Sequence, residues 1–265
     1  MSTATSPASI PIKQVALPAE HGSWSLVIEP ILLGLLVAPS VGGVALAVAA
    51  FALFLLLRPL SLVWRDMRRG RQFARTRVAL RVSVVYALLA LIGGLAALLI
   101  AGWRPLLPVI PALPLLAIFL WYNQQPGRSW QAELTAPVAF SAVATSIALA
   151  AGWSMRPALA LWVVMSARSV PAILFVRSRL RLDKGKDIQP MGVILVHVLA
   201  LLVVTAVVLG GLLPATSILA MGILLARAIW GLSPWRWRCT VKQLGFLETG
   251  FGLLTVLLIA LGYWF

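Results

Sequence analysis

The chain has 265 residues, of which 61% are hydrophobic and 11% charged, and its mean hydropathy is +0.99. A water-soluble domain of that length needs far more polar cover, so the composition excludes one and leaves a lipid bilayer as the solvent. The formal net charge of +15 would suggest nucleic acid in a soluble protein, but here the basic residues flank apolar runs, as loops at an anionic leaflet do.

Residues 1–18 contain Lys13 as their one charge and no apolar run. They read as a disordered tail rather than a secretory signal, and 19–265 as a single polytopic domain. The segment Pro18–Trp24 opens the first apolar run and sets Glu20 beside His21. Capping and anchoring account for Glu20, Ser23 and Trp24. His21 is a candidate proton carrier or phosphate donor, and in any catalysis His21 or Glu20 would handle the proton.

A bilayer core of about 30 Å asks for roughly 20 residues of helix. Nine runs meet or approach that length: Trp24 to Val37, Val44 to Trp64, Val82 to Ala101, Pro108 to Tyr122, Ala132 to Ala151, Pro157 to Val176, Gly192 to Leu213, Ala215 to Trp230 and Leu247 to Phe265. The first is short and carries Glu29 and Pro30. The fourth has Pro105, Pro108, Pro111 and Pro114 at every third position, which suits an extended lead-in or a kinked first turn. Gly93, Gly94 and Ala96, and Ala142, Ala144 and Ala148, read as helix-packing faces.

Two bursts hold most of the positive charge: Arg58, Arg65, Arg68, Arg69, Arg71, Arg75, Arg77 and Arg81, then Arg177, Arg179, Arg181, Lys184 and Lys186. With nine helices and the N-terminus inside, all of the 22 Lys and Arg except Arg104, Arg156, Arg168 and Arg227 fall in cytoplasmic segments. The expected fold is therefore an all-α nine-helix transmembrane bundle, N-terminus cytoplasmic and C-terminus outside. Tryptophans near the run ends, such as Trp24, Trp64 and Trp103, fit interface anchors.

Glu29, Arg58, Glu133, Arg168, His197 and Arg227 lie inside or at the edge of runs, where a charge costs a few kcal/mol and must face the bundle interior or the interface. Arg58, Arg168 and Arg227 either snorkel to the cytoplasmic face or line a cavity that binds an anion, with Glu29 and Glu133 as partners. His197 reads as a hydrogen-bonded packing residue, since no second His or Cys stands at ligand spacing. Asp183 and Asp187 are four apart; on a helix they would share a face and could hold Mg²⁺, or merely compensate the charge around them. Asp66 stands alone among arginines. Cys239, the single cysteine, forms no intrachain disulfide.

The run Glu20-His21-Gly22-Ser23-Trp24 with Pro30 and Gly34, and the run Arg177-Ser178-Arg179-Leu180-Arg181-Leu182 with Lys184-Gly185-Lys186, resemble the YwiC-like family of bacterial polytopic membrane proteins. More remotely the chain resembles the UbiA-type intramembrane prenyltransferases. Those are nine-helix proteins that hold a substrate diphosphate with Mg²⁺ and two Asp-rich motifs after helices two and six. Laid on this chain, the first motif keeps only Asp66, with Arg58 at its start; the second matches Asp183 and Asp187.

That resemblance implies a UbiA-like arrangement and a cationic, cytoplasmic-facing pocket for a lipid or isoprenoid phosphate. Arg58, Arg168, Arg177, Arg179, Arg181 and Lys184 would bind phosphate, and Asp66, Asp183 and Asp187 would hold any Mg²⁺. If the chain is an enzyme, the reaction is prenyl- or lipid-group transfer. The alternatives are a transporter of a small anionic solute and a non-catalytic membrane partner or assembly protein. Membrane lipids are the expected partners, and nucleic acid is not.

Overall fold

The computed structural model describes residues 12–18, 24–70, 73–123 and 130–265. Glu20, His21, Arg71 and Arg128 lie outside these. Among the described residues all regular structure is helical: α1 Ile12–Ala16, α2 Ser25–Val37, α3 Val41–Arg68, α4 Ala74–Ala101, α5 Val109–Asn123, α6 Trp130–Ala150, α7 Met155–Asp183, α8 Pro190–Leu209, α9 Thr216–Leu232 and α10 Val241–Trp264. A 3₁₀ turn at Arg104–Leu106 precedes α5.

Each of the nine apolar runs holds a helix. Among the described residues seven segments are long and apolar enough to cross a membrane, and α2 and α9 are shorter apolar helices. The chain is a multi-pass membrane protein. In the proline-rich segment, Pro105 sits in the 3₁₀ turn and Pro111 in the first turn of α5, where a missing N–H breaks no helical bond; Pro114 lies inside the helix. Capping is local: the Ser40 side chain accepts from the Gly43 N–H at 3.0 Å, and Thr240 with Gln243 closes the start of α10.

Three helices outrun their apolar segments. The sequence places ends at Trp64, Val82 and Val176; the structure carries α3 on to Arg68, starts α4 at Ala74 and carries α7 on to Asp183. Arginine loses little rotamer freedom in a helix, so the chain stays helical after the hydrocarbon ends and the guanidinium groups reach the interface. Gly70 and Gly185, at φ 62° and 69°, turn the chain after these ends, a conformation that favours glycine.

Residues 12–18 are packed rather than forming part of a disordered tail. Val15 is buried against Val63 and Ala79, Arg58 donates twice to the Gln14 carbonyl at 3.2 and 3.0 Å, and Tyr86 donates to that of Ala16 at 3.4 Å. The apolar pair Val15–Ala16 covers the α3–α4 seam and so removes its own surface from solvent.

The core lies between α6, α7, α9 and α10, with Ile147, Leu161, Val164, Met165 and Ile259 fully buried. Gly93 lets α4 reach the α3 backbone, since a Cβ there would stand 2.8 Å from the Ala45 carbonyl oxygen; Gly94 faces open space, so the packing face is Gly93 and Ala97. Ala142, Ala144 and Ala148 are buried as expected. Leu88, Leu91, Leu95 and Leu99 of α4 and Leu195, Leu199 and Leu202 of α8 turn outward, as lipid-facing rows do.

Both basic bursts share one end of the bundle. At the other end, the start of α3 at Gly42 meets the last residues of α4 and α6, Ala101 and Ala150. The end of α7 returns to the start of α6, where Arg177 pairs with Glu133 at 3.0 Å. Single cysteines at Arg69 and Lys184, both exposed, should therefore react with an impermeant maleimide from one side of the membrane, and one at Arg104 from the other. The measurement uses a Cys239→Ser background; opposite labelling of the first two would refute the shared end.

Candidate functional site

Four charged side chains meet in the interior. Arg168 stands at the middle of the 29-residue α7, Glu29 in the second turn of α2, Arg227 in the fourth turn of α9 and Glu248 in the second turn of α10. None is more than 8% exposed. Arg168 Nη2 donates to Glu29 Oε1 at 3.3 Å and to the main-chain carbonyl of Glu248 at 2.9 Å. Arg227 Nη1 pairs with Glu248 Oε1. Two arginines and two glutamates thus form a network that is neutral with all four ionised, the arrangement that lets charge persist in a low-dielectric interior.

Packing holds the network in shape. The Arg227 guanidinium lies over the Phe175 ring at 4.1 Å and near that of Phe251 at 5.6 Å, so apolar neighbours face it with their negative ring surfaces. Gly252, one turn along α10 from Glu248, leaves the space that the Glu29 carboxylate fills; a Cβ there would also come within 2.9 Å of Arg168 Nη2. His197 of α8 is 3% exposed, and its Nδ1 lies 2.8 Å from the Val193 carbonyl. That contact makes Nδ1 the donor and leaves Nε2 as an acceptor.

The network is only partly satisfied. Arg168 Nε, Arg227 Nε and Nη2, Glu248 Oε2 and His197 Nε2 are all buried without a hydrogen-bond partner. The great majority of buried polar atoms in proteins are paired, so each of these is an atom that a polar neighbour, solvent included, would satisfy.

The remaining arginines and acids named from the sequence form separate clusters. Asp66 is buried, accepting from Arg75 at 2.9 Å and from Thr76 at 2.7 Å. Arg179 spends its guanidinium as a brace: Nε donates to Asp183 at 2.9 Å, Nη1 to the Gly231 carbonyl at 3.0 Å, and Nη2 to the Trp237 carbonyl. Arg236 also reaches Asp183, at 3.3 Å. Arg177 holds Glu133, Arg58 holds the Gln14 carbonyl, and Arg181 and Lys184 are exposed.

Asp183 and Asp187 do not share a helical face. α7 ends at Asp183 and Gly185 turns the chain before Asp187, so the condition for a ligand pair fails. Among the described residues no group of three or more His, Cys, Asp or Glu could hold a metal ion. With Asp66 and Asp183 each neutralised by arginine, these donor sets do not fit a resident Mg²⁺, which needs free carboxylates. Glu20 and His21 lie outside the described residues, so their place relative to the core is not described.

Glu248 is absent from the sequence-derived site, although it bonds Arg227 and its carbonyl receives Arg168. One signal could have found it: it is the one acid in the last apolar run and stands second in it. The pairing expectation was half right, since Glu29 meets Arg168 but Glu133 meets Arg177.

The model of the family described as YwiC-like protein matches residues 17–148. This chain belongs to the YwiC-like family. The matched span runs from the end of α1 to the last turn of α6, so it includes Glu29, Arg58, Asp66 and Glu133. Arg168, His197, Arg227 and Glu248 fall beyond it. No curated protein and no solved structure matches the chain.

Proposed function

We propose that this YwiC-like protein is a carrier that moves a small anionic solute across the membrane through the Arg168–Arg227 site. One observation carries the reading: a buried, internally neutral charge network whose arginines retain N–H groups without partners. Intramembrane ionisable residues mark solute or proton pathways far more often than they stabilise a fold. Guanidinium donors select anions, and bind carboxylate or oxyanion groups through more than one N–H.

Helix lengths support the same reading. α2 and α9 have 13 and 17 residues, about 20 and 26 Å of helix against a core of about 30 Å. These two short helices contribute Glu29 and Arg227. Pro30 follows Glu29 within α2, and Pro171 lies one turn beyond Arg168 in α7. Short and interrupted segments meeting at a charged site are how transporters place a solute near the midplane. The nine crossings, the cytoplasmic N-terminus and a bacterial inner membrane belong to this proposal, with the basic end facing the cytoplasm.

A second reading, a site for a phosphorylated lipid or isoprenoid in a UbiA-like arrangement, is favoured by a different feature. A cleft of about 420 Å³ between α2, α3 and α4 is lined by apolar groups that include Ile31, Ala52, Leu55, Tyr86 and Leu89. Arg58 lies one turn beyond Leu55 on α3, where a headgroup phosphate would sit if a tail filled the cleft.

Tracer exchange separates the readings. The full chain, reconstituted in vesicles with equal anion and pH on both sides, should exchange at least one labelled anion among chloride, nitrate, formate, lactate and phosphate. Arg227→Met or Arg168→Met should cut the rate about tenfold or more, since each lost charged hydrogen bond is worth about 1.5–3 kcal/mol. No exchange of any of these anions above protein-free vesicles would refute the carrier. Loss of rate on Arg58→Gln equal to that on Arg227→Met would favour the lipid site.

A further inference from the structure

We infer that the anion travels with a proton, and that the imidazole Nε2 of His197 is the atom that takes it. The inference rests on the carrier reading and adds its co-substrate.

The partnerless atoms fall into two chemical kinds. Arg168 Nε and Arg227 Nε and Nη2 are donors; His197 Nε2 and Glu248 Oε2 are acceptors. An anion satisfies the donors. A proton on Nε2 turns that acceptor into a further donor, which a bound anion can accept from and which without the anion is one more buried unpaired N–H.

Charge balance points the same way. Two arginines and two glutamates cancel, so a bound monovalent anion would leave a net negative charge deep in the bundle. Burying an uncompensated charge costs several kcal/mol. A proton arriving with the anion restores neutrality, and both leave together on the other side.

His197 is placed to couple the two. Its element, α8, packs against both α7 and α9, and Val193, one turn before His197, packs with Phe175 and Ala228, the ring under the Arg227 guanidinium and the residue next to Arg227. Glu29 stands behind Arg168 and Glu248 behind Arg227. A proton on Nε2 and two guanidinium charges repel each other; an anion held by the guanidinium groups turns that repulsion into attraction. Binding of each therefore favours binding of the other, by the same factor in both directions. With Nδ1–H committed to the Val193 carbonyl, Nε2 is the one ring atom available for the proton. No bond other than N–H forms or breaks, and the ring returns to neutral on release.

The test is salt-driven swelling of vesicles holding the full chain, read by light scattering. The salt is that of an anion that passes the tracer exchange, with protein-free vesicles as blank. In the ammonium salt, ammonia crosses alone and the anion must enter with a proton. In the potassium salt with valinomycin, the anion enters as a bare charge. Proton coupling predicts swelling in ammonium salt at least tenfold faster than with potassium and valinomycin, and loss of the ammonium-driven swelling in His197→Gln. Exchange with swelling only under potassium and valinomycin would overturn the coupling and leave the carrier standing. Ammonium-driven swelling that survives His197→Gln but fails in Glu248→Gln would overturn the assignment to His197. The wild-type salt comparison stands even if neither variant folds.

Discussion

Arg168→Met should destabilise the bundle by about 3–5 kcal/mol, because it strands a carboxylate in the interior. Glu29 would lose its partner while 4% exposed, and the second bond from Arg168, to the Glu248 carbonyl, would go with it. Glu29→Leu together with Arg168→Met should regain most of that loss, since removing both members of a buried pair is close to neutral where removing one is not. Denaturant titration in bicelles, followed by tryptophan fluorescence, measures the four corners of the cycle. A single Arg168→Met change of under about 1 kcal/mol would mean that Glu29 is not held as a charge by Arg168. The double variant separates stability from function: it should fold yet exchange anion about tenfold or more slowly, because the Arg168 donors are gone while those of Arg227 remain.

Gly252→Ala is the smallest substitution with a large expected effect. Its methyl would occupy the place of the Glu29 carboxylate and crowd Arg168 Nη2. Overpacking of this kind costs about 1–3 kcal/mol, and here it also displaces the group that positions Arg168. Anion exchange should fall with stability. Gly250→Ala, two residues away on the same helix, meets nothing within 4 Å and should be neutral or stabilising by up to about 1 kcal/mol, the ordinary helical gain over glycine. Equal effects at the two positions, by the same titration, would show that close contact at Gly252 is not what matters.

These two predictions turn on contacts that could be only partly anticipated. Glu29, Arg168, His197 and Arg227 were recognisable as charged or titratable residues inside apolar runs, because hydropathy alone marks them as misplaced. Glu248 was not singled out, although it stands second in its run just as Glu133 does. The helix that holds it begins earlier, at Val241, which moves Glu248 inward by two turns. Asp183 and Asp187 erred in the other direction: spacing of four suggests one face, and only the turn at Gly185 separates them. Arg179 and Arg181 read alike as phosphate-binding residues; nothing local announces that carbonyls at Gly231 and Trp237 will fold over Arg179.

The amino-acid order by itself determined the solvent, the apolar runs that become helices and the gathering of positive charge into two bursts. Those follow from properties summed along a stretch of chain: transfer free energy, helix length and residue type. The tertiary structure alone decided that Glu29 pairs with Arg168, 139 positions away, and that Arg227 pairs with Glu248. An apolar helix is free to rotate about its axis until packing stops it. Which charge finds which partner is therefore settled by the fit of Gly34 on Ile147, Gly231 on Phe175 and Gly252 on Glu29, and by no periodicity within any one helix.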